Sequence, residues 1–193
     1  GLYTEVSYEN NHTFSRAFER NRILPLEQNR KIELSDEEGF IEIVKEVCRE
    51  SRFPQTEKYI QHGITSVYHH SLVVAYYSCW LAEHFQLKVR KRELIRGALL
   101  HDYFLYDWHV KQDGRRFHGF THPSCALKNA DRDFQLTWVE KDIIKKHMFP
   151  LTPIPPMCKE ALLVCAADKV CSAYETIHRK KMDWLLYHIS FDY

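Results

Sequence analysis

A histidine–aspartate pair directly behind an apolar helical segment is the feature that most restricts the fold of this chain. His101 and Asp102 follow the run Ala98-Leu99-Leu100. Ionisable side chains at the end of a buried segment are costly unless hydrogen-bond partners or a metal compensate them. The pair therefore requires a fold that brings other polar or charged side chains to the same buried place.

Two other apolar segments carry residues of the kinds that bind metals. His70 stands near the start of a helix predicted over about residues 67–85, and Asp168 lies inside a helix predicted over about 158–179. An aspartate in the middle of an apolar helical face is difficult to accommodate without a compensating cation. Together with His101 and Asp102, these residues make a mixed nitrogen and oxygen ligand set, which suits a divalent transition metal better than structural zinc.

The remaining sequence predicts further helices and no strand. Helical periodicity follows predicted starts at Ser35, in a capping-box pattern with Glu38, and at Thr121, and it also covers residues 91–103 and 137–146. We predict an all-α bundle of about six to eight helices over residues 35–183. A polar N-terminal extension, 1–34, would precede it, and a tail, 184–193, would pack on it.

Composition limits the class of partner. The formal net charge is +1 with histidines neutral, which argues against a specific nucleic acid and against an anionic membrane. No apolar run approaches the length of a bilayer span, and the N-terminal residues lack a signal-peptide pattern. The six cysteines are scattered without a CxxC pair, as in reduced core residues. We therefore expect a cytoplasmic protein with a small-molecule substrate; a homodimer stays open.

The order and context of the ligand-type residues resemble the HD domain of metal-dependent phosphohydrolases. His70 begins His-Ser-Leu-x-Val-Ala, the His101-Asp102 pair ends Leu-Leu-His-Asp, and Asp168 lies in Ala-Asp-Lys. The three motifs occur in the family's order, and the resemblance covers roughly residues 36–180. His69 competes for the first position, but the residues that follow favour His70. The resemblance implies an HD-like helical bundle with a metal centre.

The resemblance also implies a second ion. His122, in His-Pro-x-x-Ala, and His147, in Ile-Ile-x-x-His, have the contexts in which binuclear members bind it. Without the resemblance, His122 also fits a helix-start residue, and His147 a cation that complements a helix dipole. We expect one or two divalent ions, with Fe, Mn, Ni, Co, Zn and Mg all open. The implied ligands are His70, His101, Asp102 and Asp168 for one ion, and Asp102, His122 and His147 for the other.

Polar residues near the predicted centre are candidates for substrate contact and proton transfer. Asp107 follows the pair closely enough to serve as a proton donor or acceptor, and the basic candidates also fit solvated surface positions. Leu105 stands where cyclic-dinucleotide phosphodiesterases of the superfamily carry lysine, which argues against that activity. The catalytic candidates are Asp102 and Asp107; the substrate-binding candidates are Arg115, Arg116, Lys169 and His118, with His62 as a supporting residue.

We therefore expect a metal-dependent phosphohydrolase that uses metal-activated hydroxide on a small phosphorylated metabolite, with a nucleotide favoured. Two alternatives belong to other classes. A di-iron oxygenase with an HD fold would use the same ligand set. A non-catalytic module would bind a nucleotide through the metal site and signal to a partner.

Overall fold

The computed structural model describes residues 33–62, 65–105 and 118–177. These residues form six α-helices, one 3-10 helix and one two-stranded antiparallel hairpin, which confirms the all-α prediction. The 3-10 helix and the hairpin lie between the first two α-helices. The bounds are α1 Glu37–Glu50, 3-10 helix Phe53–Lys58, β1 Ile60–His62, β2 Thr65–Ser66, α2 Val67–His84, α3 Lys91–Leu100, α4 His118–Asp133, α5 Trp138–Lys146 and α6 Lys159–Ile177.

The predicted domain limits fall largely on residues outside this description. Residues 1–32 and 178–193 include most of the predicted extension and the whole predicted tail. Those boundaries therefore stay predictions. Within the described ranges, none of the helices is both long enough and apolar enough to cross a bilayer. All six cysteines lie in these ranges and none forms a disulfide.

Helix α3 lies at the centre of the bundle. It packs against α2 on one side and α5 on the other, and α6 packs against the same two helices. Its side chains Leu94, Ile95 and Leu99 are completely buried, as the apolar spacing predicts. Because α3 leads directly into the histidine–aspartate pair, that pair emerges in the interior where the four helices meet.

The predicted cap of the first helix is wrong by one residue. The N-cap is Asp36, whose carboxylate accepts the N–H of Gly39 at 2.9 Å. Ser35 instead directs its N–H and its hydroxyl to the carboxylate of Glu83 on α2, at 2.9 and 2.7 Å. Serine and aspartate are both good N-caps. Asp36 is the cap here because Ser35 bonds to Glu83, which is distant in sequence. By contrast, Thr137 forms a complete capping box with Glu140 at the start of α5.

Helix α3 ends earlier than the periodicity predicts, at Leu100 rather than about Tyr103. The N–H of Tyr103 bonds to the carbonyl of Leu100 in a turn, at 3.1 Å. The Tyr103 hydroxyl donates to Asp133 at 2.6 Å and accepts the N–H of Arg52 at 2.8 Å, and its carbonyl accepts the amide of Asn129 at 2.9 Å. These tertiary bonds hold the chain in the turn that contains the pair.

Two other local predictions are also corrected. Helix α4 begins at His118, not after a cap at Thr121, so Pro123 lies inside the helix. There it lacks one backbone donor, and the packing of fully buried Ala126 and Ala130 offsets that cost. The hairpin was not predicted, because strands of three and two residues are too short to show alternation.

Gly97 allows the close approach of α3 and α5. A Cβ atom at this position would stand 2.5 Å from Cδ1 of Ile143 and 3.1 Å from its Cβ and Cγ2. Because Cβ and Cγ2 lie near the Ile143 backbone, a rotamer change alone does not relieve the contact. The pairing of glycine with isoleucine therefore sets the distance between the two helices that carry His101 and His147 at their ends.

We expect Gly97→Ala to destabilise the protein although alanine favours a helix. The helical preference contributes about 0.5–1 kcal/mol and the overpacking costs about 1–3 kcal/mol, so a net loss on the order of 1 kcal/mol should appear. Urea unfolding of the metal-free protein measures it. Combining the change with Ile143→Val, which removes Cδ1, should cost less than the sum of the two single changes. Strict additivity would contradict the contact.

Candidate metal centre

Asp102 divides its two carboxylate oxygens between two pairs of histidines. Its Oδ2 lies 3.9 Å from Nε2 of His70 and 3.3 Å from Nε2 of His101. Its Oδ1 lies 3.2 Å from Nε2 of His122 and 3.4 Å from Nε2 of His147. All five side chains are buried. A carboxylate in this arrangement can bridge two ions.

Local structure directs the histidine nitrogens toward Asp102. His101 and His147 each occupy the C-cap of a helix, and each Nδ1 bonds to the carbonyl three residues earlier, that of Ala98 at 2.6 Å and of Ile144 at 2.8 Å. A carbonyl only accepts, so Nδ1 carries a hydrogen, and in its neutral form each ring presents an unprotonated Nε2 to the site. The same geometry at two helix ends thus supplies two ligand atoms.

Asp168 borders the first histidine pair. Its Oδ1 lies 3.1 Å from Nε2 of His70 and 3.7 Å from Nε2 of His101, and it also accepts the hydroxyl of Ser172 at 3.2 Å. The compact three-residue group on this side consists of His70, His101 and Asp102. Asp168 contacts two of its members from α6, so the structure brings together the four side chains predicted for one ion.

The second predicted group is also compact. Asp102, His122 and His147 offer ligand atoms that all lie within 4.8 Å of one another. The Nε2 atoms of the two histidines are 2.8 Å apart. Since His147 uses its Nδ1–H on a carbonyl, His122 donates this bond when His147 is neutral. The group thus has two nitrogens and one oxygen directed at one point, in positions suited to a divalent ion.

The unsatisfied atoms of the site support a metal. Within the described ranges, Nε2 of His101 and Oδ1 of Asp102 have no hydrogen-bond partner, although both are buried. Oδ1 is close to two imidazoles, but the angles are not those of hydrogen bonds. Buried groups without partners are costly. Two clusters of nitrogen and oxygen ligands that share one carboxylate can hold divalent ions, and a cation would satisfy both atoms.

The charges of the site favour an ionised carboxylate bridge. Burial raises the pKa of Asp102, but His101, His122 and His147 lower it by more than burial raises it. The pKa of Asp102 therefore lies well below the usual range. Burial likewise opposes ionisation of Asp168, and His101 and His70 reverse the effect, so its pKa is also well below normal. Both carboxylates are therefore negative at neutral pH, as ligands must be.

Metal binding should strengthen as the pH rises toward 9. Burial lowers the pKa of His101, but Asp102 and Asp168 outweigh burial and raise it to about 9. An ion must displace this proton and also that of His70, whose pKa is raised well above its ordinary value by Glu175 and Asp168 in spite of burial, so affinity should fall about tenfold per pH unit for each proton released. Burial lowers the pKa of His147, which therefore releases none. Cobalt titrations by calorimetry, in buffers of different ionisation enthalpy, measure the release. An affinity that is constant between pH 6.5 and 9 would contradict this assignment.

Glu175 was missed by the sequence reasoning. Its carboxylate oxygens lie 3.0 and 3.2 Å from Nδ1 of His70, so it orients the imidazole with Nε2 toward Asp102. Burial lowers the pKa of His70, but Glu175 and Asp168 raise it well above its ordinary value. Glu175 stands two helical turns after Asp168 on α6, so helical spacing places both on one face. That spacing was the available clue.

We expect Glu175→Gln to weaken metal binding by about 10–100-fold, the usual effect of removing the acceptor of a ligating histidine. Glutamine keeps the size of the side chain but removes the charge that makes His70 a better ligand. The matched control is Glu160→Gln, since Glu160 is also buried on α6 but accepts from the backbone of Arg90. Equilibrium dialysis with Mn²⁺ or Co²⁺ measures the effect. Equal losses in both variants would show that the effect is general destabilisation.

The structure separates the remaining predicted residues. His69 bonds through Nδ1 to Ser66 Oγ at 2.8 Å and belongs to neither three-residue group, and the choice of His70 over His69 stays a prediction. Lys169 directs its ammonium to the carbonyl of His147 at 2.9 Å, so it stabilises the turn after α5, and its substrate-binding role stays a prediction. The structure does not describe three of the predicted residues, Asp107, Arg115 and Arg116. For His62 and His118 it describes the backbone but not the side chain.

Comparison with known families agrees with this geometry. The family model described as "HD domain" matches residues 67–173, more than half of the chain. The match runs from the start of α2 into α6 and contains all six predicted metal ligands. The chain belongs to the HD-domain family, whose members are largely metal-dependent phosphohydrolases. Searches among curated proteins and among solved structures gave no significant match.

Proposed function

We propose that this chain is a phosphohydrolase that needs two divalent ions and acts on a small phosphorylated metabolite, with a nucleotide as the favoured substrate. The observation that carries the proposal is the division of the Asp102 oxygens between two histidine pairs. A site built for one ion does not need four histidines around one carboxylate. The family membership supports hydrolysis in general.

The residues that would hold each ion follow from the contacts. His70, His101, Asp102 and Asp168 would hold one, and Asp102, His122 and His147 the other. When bound, such ions lower the pKa of water and neutralise charge on a phosphoryl group. Glu175 and the two helix-end carbonyls orient the imidazoles. The protein thus preorganises the site, which is the main protein contribution to phosphoryl transfer.

The burial of the metal centre also affects the proposed reaction. His101, Asp102 and His147 are each at most 1% exposed, so the surrounding core limits bulk water around the charges. Electrostatic interactions are stronger in such surroundings. The predicted substrate contacts Arg115 and Arg116 would reach the phosphate from the segment between Asp102 and His122, and Asp107 would transfer a proton there.

The test begins with protein freed of metal by a chelator. We expect no hydrolysis in this form, and recovery when Mn²⁺, Co²⁺, Ni²⁺, Zn²⁺, Mg²⁺ or Fe²⁺ is restored. Release of inorganic phosphate from p-nitrophenyl phosphate and from a panel of nucleotides measures activity. Metal content should reach two ions per chain in the active form.

The same experiment distinguishes the alternatives. Oxygen uptake by the iron-loaded protein, without phosphate release, would replace hydrolysis with oxygenase chemistry. Tight nucleotide binding without turnover under every metal would indicate a non-catalytic module. Full activity without bound metal would contradict the proposal.

A further inference from the structure

Gln61 reaches the metal centre from outside the bundle of helices. It lies in β1, and the residue is only 6% exposed. Its amide Nε2 donates a hydrogen bond to Oδ2 of Asp102, 41 residues away in sequence. The six predicted ligands all lie in helices or at helix ends. Gln61 is therefore a contribution of the hairpin to the site.

The chemistry of Asp102 settles which amide atom faces it. Oδ2 of Asp102 faces Nε2 of Gln61, imidazole nitrogens face both carboxylate oxygens, and a carboxylate that serves as a metal ligand can only accept hydrogen bonds. The NH₂ group must point to it, and the amide oxygen is the other atom. That oxygen, Oε1, is buried and has no hydrogen-bond partner among the described residues.

A buried acceptor without a donor is unfavourable, and a hydrogen bond would satisfy it. The two polar atoms of one amide group are close together. A donor to Oε1 would therefore lie within a few ångströms of the Asp102 carboxylate. The side chain thus combines a donor that holds Asp102 with an acceptor that is available beside it.

We propose that Gln61 is a positioning residue of the metal centre. Its N–H keeps Oδ2 of Asp102 directed at the His70–His101 pair, and its Oε1 accepts a hydrogen bond from a water molecule in the site. The first role concerns metal binding alone; the second rests on the proposed phosphohydrolase function. Because the Asp102 oxygens serve different histidine pairs, rotation of this carboxylate would disturb both clusters at once.

The experiment replaces Gln61 by methionine, which has a similar length but neither donor nor acceptor. The control is Gln55→Met, an exposed glutamine in the neighbouring 3-10 helix. Each protein is freed of metal, shown to be folded by circular dichroism, and titrated with Co²⁺. We expect Gln61→Met to weaken Co²⁺ binding about 10–100-fold and to change the visible absorption of the bound ion. Gln55→Met should match the wild type in both.

A second variant keeps the test decisive if Gln61→Met does not fold. Gln61→Asn keeps the N–H donor and the carbonyl acceptor of the side-chain amide. It shortens the side chain by one methylene, so the amide no longer reaches Asp102. It should lose affinity in the same way. Wild-type affinity and an unchanged spectrum in the folded variants would overturn the proposal.

Kinetics test the water contact. On p-nitrophenyl phosphate, which carries no hydroxyl, we expect Gln61→Met at saturating Co²⁺ to lower kcat with little change in KM. A loss confined to substrates with hydroxyl groups would assign Oε1 to the substrate and overturn the water contact. If the wild type hydrolyses no phosphate ester, the proposed function fails, while the Co²⁺ affinity and spectrum still decide whether Gln61 positions Asp102.

Discussion

Replacing Asp102 by alanine should remove both metal binding and activity. One oxygen of this carboxylate faces His70 and His101 and the other faces His122 and His147, so a single substitution breaks both clusters. We expect metal content to fall to near zero, and turnover of phosphate esters to fall by at least about 1,000-fold, the upper range for loss of one electrostatic group. Elemental analysis and phosphate release measure the two effects.

A suitable control also removes a buried carboxylate. Asp142 on α5 is buried, but it accepts the N–H groups of Met157 and Cys158 and pairs with Lys146. Asp142→Asn should lower the melting temperature while folded protein keeps its metal and its turnover. If Asp102→Ala keeps two ions per chain, Asp102 does not bridge the two clusters.

The second large effect concerns the count of ions. His147→Ala removes one of the two imidazoles on Oδ1 of Asp102 and leaves the His70–His101 side intact. We expect metal content to fall from two ions to one per chain, and kcat to fall by about 100-fold or more, since the remaining ion no longer has a partner across the bridge. The bond from Lys169 goes to the backbone carbonyl of His147, so it does not depend on this side chain.

His69→Ala is the control for this variant. His69 adjoins a predicted ligand in sequence, yet its ring bonds to Ser66. Both ions and full turnover should remain. Two ions in His147→Ala would place the second ion elsewhere, and one ion in the wild type would remove His122 and His147 from the ligand set.

The helices and the predicted ligands could be inferred largely from local pattern. Helical spacing of apolar residues predicted α2, α5 and α6 to within a few residues, because each helix buries one or more faces in the core. His70, the His101-Asp102 pair and Asp168 were singled out because ionisable groups in apolar segments need compensation. The structure brings these side chains together, as the family resemblance implies. Their roles as ligands stay predictions.

Hydrogen bonds to residues distant in sequence explain the local errors. Ser35 and Asp36 are both good N-caps, and Ser35 instead donates its hydroxyl to Glu83 on another helix. The end of α3 depends on the hydrogen bonds of the Tyr103 hydroxyl to Asp133 and to the Arg52 backbone. Neither result is encoded in the adjacent residues alone. Residues 106–117, with Asp107, Arg115 and Arg116, lie outside the described ranges, so predictions for them are untested.

By itself the sequence determined the helical class, the family resemblance and the candidate ligands, because apolar periodicity and short motifs are local properties. Only the tertiary structure decided how the Asp102 oxygens divide between the two histidine pairs. It also decided that Glu175 orients His70 across 105 residues and that Gln61 reaches Asp102 from a hairpin. These contacts depend on how helices pack, through pairs such as Gly97 and Ile143. Packing joins residues that are distant in the chain, and a single sequence does not show which distant residues are in contact.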